Sequence, residues 1–143
     1  MTATTLAAAL GGQRTLRREV SSDFDLAAAA LAGIPAAAAG RVIESGLLDP
    51  DELYELVIPR RTLDRRHDSG EPLTVSESDR LLRVVGVIVR ATEALGDSEK
   101  GRQWLRTSNR ALRGETPLSL LRTDIGARLV ERVLGRIEHG IYS

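Results

Sequence analysis

Two helix-start signals constrain this chain more than any other feature. Asp49-Pro50-Asp51-Glu52 sets a capping carboxylate, a proline suited to the first helical turn, and a glutamate placed to reach back to the cap. Thr74-Val75-Ser76-Glu77 repeats the box, and a long amphipathic run follows it. Leu81, Val84, Val85, Ile88, Ala91, Thr92 and Leu95 fall on one stripe, with Arg80, Arg83, Arg90 and Glu93 mostly outside it. Gly96 closes that run, which is the expected central helix.

The rest of the chain is punctuated in the same way. Asp25 is expected to cap a helix over Leu26–Leu31 that Gly33 stops, and Pro35 to open another running to Gly46. Leu53, Leu56 and Val57 face inward on the helix after Asp49, which ends at Ile58 because Pro59 follows. A short helix then runs from Pro59 to about His67, ended by Gly70 and Pro72. Asp97 caps a short helix bearing Trp104. The stretch from Thr107 to Gly114 reads as a turn, and Thr116-Pro117 restarts a helix. Thr123-Asp124 opens the last one, where Ile125, Leu129, Val133 and Ile137 recur every four residues beside Val130 and Leu134. No segment alternates with strand period, so the fold class is all-α. Residues 1–24 lack sustained periodicity and are expected to form a flexible arm, with Arg14, Arg17 and Arg18 as a small basic cluster on it. Residues 25–72 and 73–143 are the two expected helical regions.

Composition narrows the function. Aromatic residues make up only 3%, so the core must be Leu, Val, Ile and Ala, a palette suited to packed helices. The absence of cysteine removes disulfides and thiolate chemistry and fits a reducing cytoplasm. His67 and His139 lack ligand spacing, and no metal or other cofactor is expected. The Ala-rich stretch from Leu6 to Leu10 is too short for a targeting signal, and no window reaches membrane-spanning length. A net charge of zero argues against non-specific coating of nucleic acid, though not against a local reading element. There is no glycine-rich phosphate loop, nucleophile elbow or zinc-protease pattern, so an enzyme is not expected.

Two surfaces remain. The paired helices from Asp49 to His67 have a helix-turn-helix layout, the second carrying Arg60, Arg61, Thr62, Arg65 and Arg66. Such donors suit base edges and phosphates, but Asp64 and Asp68 dilute the charge. Spacing alone leaves a DNA-reading face and a solvated basic face equally open. On the last helix Arg128, Arg132 and Arg136 form a four-residue stripe, which reads either as solvated surface or as part of an interface. Trp104 reads as a packing residue rather than an interface anchor.

Three stretches carry a family resemblance: residues 58–66 (IPRRTLDRR), residues 77–83 (ESDRLLR) and residues 104–112 (WLRTSNRAL). With Thr116-Pro117-Leu118 and the ending of residues 135–142 (GRIEHGIY), the chain over roughly residues 26–143 resembles the Xre/ParS/MbcA antitoxins that pair with RES-domain toxins. The resemblance implies an Xre-like helix-turn-helix region for dimerisation and binding of the operon's own promoter. It also implies a C-terminal region that covers the active site of an NAD-degrading toxin. Carried over, Arg60, Arg61, Thr62, Arg65 and Arg66 would contact operator DNA. Arg128, Arg132, Arg136, Glu138, His139, Tyr142 and Ser143 would face the toxin, while Trp104 and Asn109 would serve packing and a turn. The implied partners are thus a cognate RES-domain toxin, a second copy of the chain and DNA; the alternative is a stand-alone helix-turn-helix repressor without a toxin.

The sequence departs from the family pattern at Tyr54, where similar proteins have a small residue, and at Val57, where they have glycine. A bulky ring at 54 should crowd the two helices. A β-branched residue at 57 resists positive φ. Both put tight DNA binding in question and leave toxin binding untouched.

Overall fold

A computed structural model describes residues 2–140, and among these the regular structure is entirely helical. The chain divides into two compact units, residues 1–85 and 86–143, so the division falls inside the long helix rather than at Pro72. No single helix among the described residues is long and apolar enough to cross a membrane.

The first unit begins with a correction. Instead of a loose arm, residues 3–16 form two short helices, α1 (Ala3–Ala9) and α2 (Gly12–Leu16). Ala3, Leu6, Ala7 and Leu10 are all buried, at helical spacing, as is Leu16. The break between α1 and α2 needs glycine: Gly11 and Gly12 both take positive φ. The Arg17 backbone, also at positive φ, is held by an N–H donated to the Gln13 carbonyl.

Helix α3 (Asp23–Ala32) starts three residues earlier than its charge pattern suggests. Ser22 is the cap, and Asp25 is its reciprocal partner, accepting from the backbone of Ser21 and Ser22. These N–H donors and the Ser21 hydroxyl hold the Asp25 carboxyl below its ordinary pKa. Helix α4 (Ala37–Glu44) follows, its buried face made by Ala38, Ala39 and Val42. The Gly33–Pro35 corner between them is strapped down: the Ile34 N–H donates to the buried Ser78 hydroxyl at 2.9 Å, and Leu73 N–H donates to the Ile34 carbonyl at 2.8 Å.

Helices α5 (Pro50–Leu56) and α6 (Arg60–Ser69) form the paired motif, and α7 (Val75–Leu95) holds them in place. Both expected boxes supply their reciprocal bond, Glu52 accepting from the Asp49 N–H and Glu77 from the Thr74 N–H. Arg80 donates to the Val57 carbonyl at 2.9 Å, pinning the turn between α5 and α6. Arg66 lays its guanidinium across both oxygens of Glu77, tying α6 to the start of α7. From Val84 to Val89 the long helix is buried on every side, broader than the one-sided stripe the sequence suggests.

The second unit contains the end of α7, then α8 (Ser98–Leu105), two 3₁₀ turns (Arg110–Leu112 and Leu118–Arg122) and α9 (Asp124–Glu138). Gly101 lies so close to Thr92 that an added methyl would sit 3.1 Å from its backbone. Asn109 is buried and organises the loop: its Oδ1 accepts from Ala111 N–H, and its carbonyl accepts from Leu112 and Gly114. Helix α9, capped by the Thr123 hydroxyl, packs against both 3₁₀ turns.

The orientation of α9 differs from the expectation. Gly126, Ala127, Val130, Val133 and Leu134 are buried, while Ile125 is 71% and Leu129 40% exposed. The cause is close approach. Gly126 has no Cβ, so the helix settles on the Leu120 carbonyl and rotates its small residues inward, leaving Ile125 and Leu129 facing solvent.

Candidate functional site

On α6 the fold separates the five expected DNA-facing residues. Arg60, Arg61 and Arg65 are exposed and Thr62 is half-buried. Arg60 lies 3.8 Å from Asp64 on the same helix. With Asp64 and Asp68 exposed beside Arg61 and Arg65, the outer face of α6 alternates in charge. Arg66 turns inward instead. Its side chain is only 15% exposed and is committed to Glu77 at 3.1 Å and Glu71 at 3.5 Å, which raises its pKa through those acceptors. It fixes the helix rather than reaching outward.

The two departures from the family pattern are accommodated. Val57 takes φ −117° and ψ −60°, a conformation open to a β-branched residue, so no glycine is required. Tyr54 is half-buried rather than wedged into the core. The N-terminal basic cluster also finds a place: Arg17 and Arg18 line a concavity of about 390 Å³ with His67 and the Gly70–Pro72 turn.

In the second unit the expected cations lie on the outward face of α9. Arg128 pairs with Asp124 at 2.7 Å, one turn earlier. Arg132 and Arg136 are exposed and form no ion pair with another described residue. Glu138 accepts from Arg90 at 3.0 and 3.2 Å and so closes α9 onto the end of α7. His139 is the exposed residue that ends α9, and Tyr142 and Ser143 lie outside the described residues. A shallow basic groove of about 380 Å³ joins Arg90, Arg128 and Arg132, with Glu131 and Gly135.

Two apolar surfaces escaped the sequence reading. On α3, Phe24, Ala27, Ala28 and Leu31 share one face and are all exposed, Phe24 by 88% and Leu31 by 73%. On α9, Ile125 and Leu129 face out, and Leu129 lines a groove of about 410 Å³ with Leu112 and Leu120. The signal for the first was present as an i, i+3, i+4, i+7 pattern, hidden because two of its members are alanine. Among the described residues no group of His, Asp and Glu is arranged to hold a metal ion.

Comparison with known proteins agrees with this division. Residues 25–86 match the antitoxin Xre-like helix-turn-helix domain, and residues 90–140 match the antitoxin Xre/MbcA/ParS C-terminal toxin-binding domain. The chain is 35% identical over 122 residues to an Antitoxin Xre from Pseudomonas putida, covering 85% of this chain and 76% of that protein. It is 39% identical over 87 residues to an Antitoxin Xre from Yersinia enterocolitica, covering 60% and 59%. At 27% over 121 residues it is similar to the Prs ADP-ribosylating antitoxin of a Sphingobium strain, covering 78% and 76%. A helix-turn-helix unit followed by a helical toxin-binding unit, with 35% identity to an Antitoxin Xre over most of both chains, makes this chain a member of the Xre/MbcA/ParS family of antitoxins.

Proposed function

We propose that the chain neutralises a RES-domain, NAD-degrading toxin by covering its active site, has no catalytic activity of its own, and represses its own operon as a dimer. The observation that carries the first part is the outward face of α9, where Arg132 and Arg136 form no ion pair with another described residue and share a stripe with exposed Ile125 and Leu129. A helix face of this kind suits a protein partner better than water. Arg128, Arg132, Arg136, Glu138 and His139 are the proposed contact residues, with Tyr142 and Ser143 continuing the same run. The test is co-expression with the toxin encoded in the same operon: the full chain should restore growth and cellular NAD. A chain lacking residues 138–143 should protect less. Full protection by the truncated chain removes the tail from the mechanism, and no protection by the full chain removes the toxin reading.

Operator binding rests on Arg60, Arg61, Thr62 and Arg65, whose face carries Asp64 and Asp68 as well. One copy therefore offers few net cations for phosphates, and two copies reading adjacent half-sites would compensate. The outward stripe of α3 supplies a route to that dimer. It is uncharged, Phe24 and Leu31 give it apolar bulk, and Ala27 and Ala28 let a second helix approach closely. Replacing Phe24 and Leu31 with Glu should give a monomer by light scattering and weaken operator binding at least tenfold in a mobility-shift titration. An unchanged mass would take the dimer away from α3. Fold should survive, because both side chains already face solvent.

A further inference from the structure

We infer that the toxin is anchored at the start of α9, by an apolar side chain of the toxin seated in the groove between Leu112, Leu120 and Leu129, with exposed Ile125 one turn earlier adding apolar contact and toxin carboxylates meeting Arg132 and Arg136. This rests on the reading of residues 90–140 as the toxin-holding unit and says which part of that unit carries the affinity.

The argument starts from the helical wheel. Ile125, Leu129, Arg132 and Arg136 follow one another at i, i+4, i+7 and i+11, a single stripe down the solvent side of α9. Its first half is apolar and its second half cationic. Ile125 and Leu129 are the exposed large aliphatic side chains of this unit among the described residues. Keeping them outward serves nothing in an isolated chain, since burial of either would favour folding. Leu129 lines a concavity together with Leu120, buried Leu112, Arg113 and Glu115, and Ile125 stands one turn earlier on the same stripe. A leucine- or phenylalanine-sized side chain fits a volume of that order.

The backbone around the groove is fixed in advance. Asn109 holds one wall through its side-chain and main-chain hydrogen bonds. Gly126 seats α9 directly on the Leu120 carbonyl and fixes the other. A preorganised apolar recess loses little freedom on binding, which is the property of an anchor. The arginines, still in contact with water, contribute less to lifetime and more to steering an acidic surface into place. The occupant is therefore a protein surface with an apolar projection flanked by carboxylates. A phosphate-bearing ligand would need the arginines but not Ile125 and Leu129.

The experiment compares the parent with three full-length variants, each titrated with the toxin encoded in the same operon. The double substitution Ile125→Glu with Leu129→Glu should raise Kd at least about 100-fold, with little dependence on salt. The double substitution Arg132→Glu with Arg136→Glu should raise it roughly tenfold, chiefly through slower association, an effect that fades at high salt. Ile125→Gln, a milder change at a side chain already exposed, should still weaken binding about tenfold. Circular dichroism should show all variants as helical as the parent. Tight binding by the Ile125→Glu, Leu129→Glu chain, with the parent also binding, overturns the anchor alone. A change in the mass of the free chain, with toxin affinity kept, overturns it in favour of a second copy in the groove. Absence of binding by the parent chain removes the toxin reading and the anchor with it.

Discussion

Replacing Glu77 with alanine should lower the stability of the chain by about 2–3 kcal/mol at neutral pH, measured by urea denaturation followed by circular dichroism. Two losses add up. The carboxylate is the reciprocal half of the box that starts α7, accepting the Thr74 N–H at 2.8 Å while Thr74 accepts the Glu77 N–H at 3.1 Å. It is also the acceptor for Arg66, whose guanidinium would be left with Glu71 alone, at 3.5 Å. At 9% exposure the Glu77 side chain cannot be replaced by water, whereas the Arg66 end of the pair keeps some solvent, so the cost stays below that of a fully buried pair. A loss within a few tenths of a kcal/mol would show that the pair does not hold α6 on α7.

The same residue gives a pH signature with a definite sign. Burial acts to raise the Glu77 pKa, but hydrogen bonds from Arg66 and Thr74, with the Arg66 charge, outweigh it and leave the carboxyl below its ordinary value near 4.5. A carboxyl depressed in the folded state stabilises fully above its unfolded pKa, and that contribution disappears as pH falls through the folded one. Stability should therefore decline below about pH 4.5 in the parent and decline less steeply in Glu77→Gln, which has no proton to take up. Other depressed carboxyls, Asp25 among them, titrate in both chains and cancel in the difference.

Much of this scaffold was legible because helix ends are written in short-range chemistry. Asp49, Thr74, Asp97 and Thr123 announce α5, α7, α8 and α9 through bonds to the residue three positions on, so spacing alone identifies them. What spacing could not give was decided at a distance. Arg66 looked like its neighbours Arg61 and Arg65, and only the packing of α6 beside Glu77 turns it inward. Residues 3–16 read as a tail because alanine contributes little to an apolar pattern, yet Ala3 and Ala7 complete the stripe of Leu6 and Leu10. On α9 the eye follows Ile125, Leu129, Val133 and Ile137, the large residues. The helix instead buries the face that holds Gly126 and Ala127, because the neighbouring backbone comes too near for anything larger. The apolar half of the candidate toxin-facing surface is hard to read from sequence for that reason: periodicity sets Ile125 and Leu129 on one stripe with buried Val133. Packing against glycine and alanine leaves its mark in volume, not hydrophobicity.

That contrast predicts opposite outcomes for two glycines of one helix. A Cβ added at Gly126 would lie 1.9 Å from the Leu120 carbonyl oxygen and 2.9 Å from its carbon, both backbone atoms that cannot swing away. The first turn of α9 would have to lift, stretching the bond from the Gly126 N–H to the Thr123 hydroxyl, now 2.9 Å, and opening the groove over Leu120. Gly126→Ala should therefore cost about 3 kcal/mol, at the upper end of what overpacking does. It should also abolish toxin binding, while the helix-turn-helix unit keeps its amide protection in hydrogen exchange. At Gly135 the nearest atom to a new Cβ is Arg90 Nη2, at 3.4 Å, the far end of a flexible side chain. Gly135→Ala should gain helix propensity, up to about 1 kcal/mol, and leave binding intact. Equal stability of the two variants would mean that α9 does not rest on the Leu120 carbonyl, and the outward placement of Ile125 and Leu129 would lose its physical cause.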